Sequence, residues 1–145
     1  MPFKTFIKFA ALAMALTLAT GSATLAVAAE KKTHNVVFHV TDTDTAKWNQ
    51  ILNNANNVQQ ALGKENVVVE VVANGAGLNM LKFDSEVANR MTDAVKNGVI
   101  LAACGTTMKA MKVGEKDLHA GVKVVPAGIV EIMQKQEAGW SYVKP

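Results

Sequence analysis

Cysteine is nearly absent from the 145-residue chain: Cys104 stands alone. A single cysteine excludes an internal disulfide and leaves intermolecular pairing, a reactive free thiol or a protected core position. No clustered run of lysine and arginine supplies the basic face a nucleic-acid surface requires, which excludes nucleic acid as a partner. No uninterrupted apolar run reaches the roughly 20 residues of a membrane-spanning helix. Repeats, low-complexity tracts and interdomain linkers are missing too, so the chain reads as one domain. No serine sits on a strand-to-helix elbow, and Ser-His-Asp hydrolase chemistry has no foundation. His34, His39 and His119 share no metal-ligand spacing with one another or with Cys104, so neither a metal nor a cofactor is expected.

What is present begins with a leader pattern. Lys4 and Lys8 make a short basic region, Phe9 to Leu18 an apolar one, and Gly21 to Ala29 a tail of small residues. Ala26-Val27-Ala28 and Val27-Ala28-Ala29 both fit a cleavage site, which predicts a secretory signal peptide over residues 1–29. The mature domain then covers residues 30–145 and lies in the periplasm, with no membrane contact after cleavage. Two lysines without an arginine pair indicate the general secretory route, and no cysteine offers a lipoprotein anchor. Without Lys4 and Lys8 the 15 basic residues fall to 13 against 12 acidic ones, a net charge of +1. An exported free thiol risks oxidation, so its presence favours a function.

Along the mature chain, apolar β-type runs alternate with helical periodicity. Asn35–Val40 predicts a strand, and the Asp42-Thr43-Asp44 turn reads as helix-capping chemistry rather than a calcium loop. Trp48, Ile51, Leu52, Ala55, Val58 and Leu62 recur at helical spacing over Thr45–Leu62, and Gly63 is a natural stop. The valines of Asn66–Ala73 predict a second strand. A second helix follows from a cap at Asp84 or Ser85 to Asn97, and a third strand over Val99–Ala103 leads to Cys104. A short helix over Thr106–Lys112, a strand over Val122–Val125, a helix over Ile129–Gln136 and a strand over Trp140–Val143 complete the chain. This alternation predicts an α/β fold, a three-layer α/β/α sandwich on a mostly parallel sheet of about five strands.

Cys104 ends its strand where open α/β sheets bind ligands, just before a helix whose positive end favours the thiolate. Thr106 or Thr107 is the expected cap. The alternative is a small buried hydrophobe continuing Ala102 and Ala103. Cys104, Met108 and Met111 stand at i, i+4 and i+7, a sulfur row suited to Cu(I), against the alternative of methionine core filler. Asn74-Gly75-Ala76-Gly77 has two glycines of a dinucleotide turn, but Met80 occupies the third position, so a plain turn is the reading. His39, near a strand end, and His119, in a loop, are candidate proton partners of the thiol against ordinary hydrogen-bonding roles. Asn49, Asn53, Asn56 and Gln60 form a polar helix face, solvated or packed on another subunit.

Four stretches carry a family resemblance. They are Val36–Val40 with its Asp-rich turn and Lys47-Trp48, then Leu52–Val58, Ala103–Met108, and Gly121–Glu131 with Gln136–Val143. In these the chain resembles exported DsrE/DsrF-like proteins of the sulfur-relay superfamily, which includes DsrE and TusD-type subunits. The resemblance implies a DsrE-like fold, homo-oligomers (trimers or hexamers) and a cysteine after the third strand that carries sulfur as a persulfide. Cys104 matches that position, and no other catalytic residue carries over. The expected function is a sulfur carrier, at most a sulfurtransferase. It exchanges sulfur with a donor or acceptor protein or small thiol. Gly105, Thr106 and Thr107 steady the anion, while Asn74, Gly75, Pro126 and Gly128 line the crevice. The alternatives are a non-catalytic oligomeric binding or assembly module and, behind it, a Cu(I)-binding protein.

Overall fold

Each valine-rich run becomes a strand of one sheet. The computed structural model describes residues 34–145, and the expected signal peptide lies outside them. Strands β1 (His34–Val40), β2 (Val67–Ala73), β3 (Ile100–Cys104), β4 (Val122–Val125) and β5 (Ser141–Val143) lie in the order β4-β3-β2-β1-β5. Every pairing is parallel. Helices α1 (Thr45–Leu62), α2 (Ala88–Lys96), α3 (Gly105–Met111) and α4 (Gly128–Glu137) fill the connections. The predicted α/β class and parallel five-stranded sheet are what forms.

Strand order decides which face each helix covers. The steps from β1 to β4 all run in one direction, so right-handed crossovers put α1, α2 and α3 on one face. The return from β4 past β1 to β5 reverses direction and sends α4 to the other. Alternation along the strands divides the core accordingly. Val36, Phe38, Val40, Val69, Val71, Leu101 and Ala103 pack with Trp48, Met91 and Met108 in the larger core. Val37, Val72, Ala102 and Val125 pack under Ile132 of α4 in a smaller one. The layers are unequal because one helix alone serves the second face.

Local chemistry sets most helix ends. The Asp44 side chain accepts a hydrogen bond from the Ala46 amide at 2.8 Å and caps α1. Gly63 closes the helix at φ 85°. The predicted apolar stripe holds through Ala55, but Leu62 is exposed and Gln59 takes the inward place, its Nε2 donating to Asn97 O at 2.8 Å. The polar asparagine face meets Arg90, whose guanidinium donates to Asn53 Oδ1 at 2.6 Å and to Asn49 O at 3.2 Å.

Two helix starts differ from expectation. α2 begins at Ala88 rather than at an Asp84 or Ser85 cap. Lys82 is drawn into an antiparallel bridge with Leu118, and the Phe83 amide donates to Asp117 O at 3.0 Å, which holds this segment extended. α3 has Cys104 as its N-cap residue and no side-chain cap, because both threonines are engaged elsewhere.

A charge network ties α4 to the sheet. Glu70 is wholly buried beneath α4, with Lys123 Nζ 2.9 Å and Lys135 Nζ 2.8 Å from its two oxygens. Glu131 lies 3.5 Å from Lys135, whose ammonium also stands 4.2 Å above the Trp140 ring.

Candidate functional site at the carboxyl edge of the sheet

The carboxyl ends of β3 and β4 meet the start of α4 at Cys104. Cys104 shares the α4 face with Ala102, and its Sγ accepts a hydrogen bond from the Gly128 amide at 3.1 Å. Gly128 is the first residue of α4, so this helix directs its positive end at the sulfur. Glycine suits the close approach: a methyl there would stand 3.1 Å from Cys104 Cβ and 3.2 Å from Val72 Cγ1.

The residues around the thiol are locked to one another. Thr106 donates through its amide (3.2 Å) and its hydroxyl (3.1 Å) to Pro126 O, which fixes the turn leading into α4. Thr107 Oγ1 accepts from the Gly75 amide at 3.0 Å, tying the turn after β2 to α3. Gly105 packs under the same strand end, where a methyl would meet Val125 O at 3.1 Å. Thus the structure brings Gly105, Thr106, Thr107, Gly75, Pro126 and Gly128 together around Cys104. Asn74 stands beside Gly128, its Cβ 3.4 Å from where a side chain there would begin.

Burial pushes the Cys104 thiol up, but a hydrogen bond from the Thr107 hydroxyl and the amides of Gly128, Thr107 and Thr106 outweigh it. The net direction is down, toward the thiolate. The sulfur row does not form. Met108 is buried in the larger core, across the sheet from the thiol, and Met111 is exposed. Among the described residues no group of three His, Cys, Asp or Glu side chains could hold a metal ion.

His119 is removed from the site; its Nε2 pairs with Thr92 Oγ1 at 2.9 Å. His39 is at the same edge and face as Cys104. Its Nδ1 is 2.9 Å from the Tyr142 hydroxyl and its Nε2 is 3.0 Å from Asn74 Oδ1. Tyr142 received no role from sequence, since its partner lies 103 residues away. The signal available was alternation, which puts Val37 and His39 on one face.

The match to known proteins is with this cysteine-bearing sheet as a whole. A model of the DsrE/DsrF-like family matches residues 2–145. The chain belongs to the DsrE/DsrF-like family. Among solved structures it is similar to a protein of unknown function from Methanobacterium thermoautotrophicum, at 35% identity and a TM-score of 0.74. That match covers 77% of this chain and 99% of the other. A conserved protein of unknown function from Bacteroides thetaiotaomicron shares the fold at 15% identity and a TM-score of 0.63, covering 77% of this chain and 94% of its own. The ychN protein of E. coli shares it at 12% identity and a TM-score of 0.62, covering 79% and 99%. No curated protein matches the chain. Membership of the DsrE/DsrF-like family supports a sulfur-relay type of fold with sulfur-relay partners in general.

The Thr107 hydroxyl offers a direct test of the thiol's setting in this DsrE/DsrF-like domain. Thr107→Val removes its hydrogen bond to Sγ and the acceptor for Gly75, and the thiol pKa rises. Alkylation of Cys104 by iodoacetamide at neutral pH should slow about tenfold, with the pH midpoint displaced upward. A lowered native thiol pKa means the unfolded chain binds more protons between the two values. Stability therefore rises with pH across that interval and is lost as pH falls through the native value. Thr107→Val should flatten that rise; an unmoved alkylation midpoint would dismiss the hydroxyl's role.

Proposed function

We propose that this protein carries sulfane sulfur as a persulfide on Cys104 and passes it to an acceptor thiol. One observation carries the reading: the single thiol receives a helix-terminal amide and a hydroxyl that favour its anion at the ligand-binding edge of the sheet. Family membership supports sulfur-relay chemistry in general.

The Cys104 thiolate attacks the outer sulfur of a donor R–S–SH. A bond forms between Sγ and that sulfur, the donor's S–S bond breaks, and its electron pair leaves on R–S⁻. The outer proton stays, giving Cys104–S–SH, and no external oxidant or reductant is consumed. An acceptor thiolate repeats the displacement, takes the sulfur and returns Cys104 as thiolate. Gly105, Thr106 and Thr107 hold the anion, and Asn74, Gly75, Pro126 and Gly128 form the mouth. The donor and acceptor are a protein or a small thiol.

The amino-terminal pattern of Lys4, Lys8 and a small-residue tail supports export, and we place the activity in the periplasm. Assembly into a homo-oligomer, a trimer or hexamer, is part of the same proposal. Exposed Ile129, Val130 and Met133 on α4, with Tyr142 and Val143 on β5, support it.

The test is the intact mass of the mature protein after exposure to inorganic polysulfide or thiosulfate. One sulfur atom should add to the wild type and none to Cys104→Ser. An equal gain in both, or none in either, would refute the reading. Cys104 is only 5% exposed, which favours a second reading, a binding or assembly module in which the cysteine is packed. That reading requires Cys104 to resist thiol reagents in the native state.

A further inference from the structure

We propose that Asn74 selects anionic sulfur donors at Cys104, and that His39 and Tyr142 are positioning residues that orient its amide. The inference rests on the sulfur-carrier reading for its ligand, and on an ordered polar row for its geometry. β5, β1, β2 and β3 are consecutive in the sheet; Tyr142, His39 and Cys104 stand on β5, β1 and β3 on its α4 face, and Asn74 directly follows β2. Val37, two residues before His39, pairs with Tyr142, and Ala73 pairs with Ala103, so Asn74 follows directly beside Cys104. The backbone of Asn74 stays extended at φ −139° and ψ 171°, which continues the alternation of β2 and keeps its side chain on this face.

The hydrogen-bond directions in the row follow from donor and acceptor chemistry. Asn74 Oδ1 is an acceptor 3.0 Å from His39 Nε2, so Nε2 carries the proton. His39 Nδ1 is then left to accept from the Tyr142 hydroxyl at 2.9 Å. His39 is only 8% exposed, so water offers little competition for either nitrogen. With Oδ1 committed to His39, the Asn74 amide is oriented and its Nδ2 makes no hydrogen bond among the described residues. Reversing the amide would turn the oxygen away from His39 Nε2 and forfeit that hydrogen bond.

Space and charge agree with an anion there. Gly128 separates the two residues without a side chain: a methyl would stand 3.1 Å from Cys104 Cβ and 3.4 Å from Asn74 Cβ. The nearest carboxylate down the same face of β2 is Glu70, already paired with Lys123 and Lys135. Asn74 Nδ2 is thus the donor left for an incoming ligand, because the Gly128 amide already donates to Sγ. A hydropersulfide anion or a thiosulfate-type oxyanion accepts from it more strongly than a neutral sulfur donor does.

The test compares an anionic and a neutral reagent on the same thiol. Iodoacetate and iodoacetamide are reacted with Cys104 in the full folded domain, and the ratio of their rates is taken. Asn74→Ala should lower that ratio about tenfold. Asn74→Asp should lower it further by like-charge repulsion. Tyr142→Phe keeps the ring and removes only the hydroxyl; it should lower the ratio about threefold, with His39 no longer held as a single tautomer in imidazole nitrogen NMR. A ratio unchanged in both Asn74 variants overturns the proposal, whatever the sulfur chemistry. In parallel the wild type is exposed to polysulfide. A wild type that takes up no sulfur, yet shows the ratio change, sinks the carrier reading and leaves the anion site standing. A native thiol that reacts with neither reagent overturns both.

Discussion

Gly77→Ala is expected to cost the fold about 3 kcal/mol, the top of the range for overpacking a close contact. The added methyl would stand 2.5 Å from the Val40 carbonyl oxygen, 2.6 Å from its carbon and 2.8 Å from the Thr41 nitrogen. All three are backbone atoms, so no side chain can rotate away. Val40 O also accepts the Asn74 amide at 3.1 Å, so relief requires parting the ends of β1 and β2 next to His39. Urea denaturation should show a much lower midpoint for Gly77→Ala. Gly114→Ala serves as the control, because its methyl meets nothing closer than Asp117 Oδ2 at 3.4 Å. Equal midpoints for the two variants would refute the contact.

Glu70→Gln should destabilise the domain by about 2 kcal/mol, below the 3–5 kcal/mol of a fully buried broken pair because both lysines keep some solvent. Lys123 is 43% exposed and Lys135 21%. Removing the carboxylate charge leaves Lys135 under α4 with only Glu131 and the Trp140 ring as partners. Burial alone would lower the Lys135 pKa, but the hydrogen bond and charge of Glu70, helped by Glu131, raise it. A raised lysine pKa contributes stability that is whole below the unfolded value and is lost as pH rises through the folded one. The wild type should therefore weaken in strong alkali, and Glu70→Gln should lose that dependence. Denaturation curves at neutral and alkaline pH decide it; a variant as stable as the wild type at neutral pH would show that the network contributes nothing net. Pairing Glu70→Leu with Lys135→Met should recover much of the loss, since an apolar pair needs no partner.

Local chemistry was readable wherever a segment's own residues satisfy it. The bounds of α1 and β4 follow from the Asp44 cap, the spacing from Trp48 to Ala55 and the valines of 122–125. Where a distant segment intervenes, local reasoning gave the wrong boundary. The α2 start moved because Lys82 and Phe83 bond to Leu118 and Asp117. Thr106 and Thr107 are sound caps by composition, yet they serve Pro126 and Gly75. The row of Cys104, Met108 and Met111 failed for a related reason. Periodicity aligns side chains on a helix but does not say which face of the sheet that helix covers.

By itself the sequence determined the parallel α/β class, the single thiol at the end of the third strand and the glycine-bearing turns around it. Periodicity, β-branched runs and turn residues act over a few neighbours, and their energies are expressed wherever the segment lies. Only the tertiary structure decided what the thiol faces. Strand order sends α4 alone to its side of the sheet, so an amide 24 residues away reaches Sγ. The same order brings Tyr142 to His39 and His39 to Asn74. Pairing register and crossover hand are long-range choices, and no local pattern in the chain encodes them.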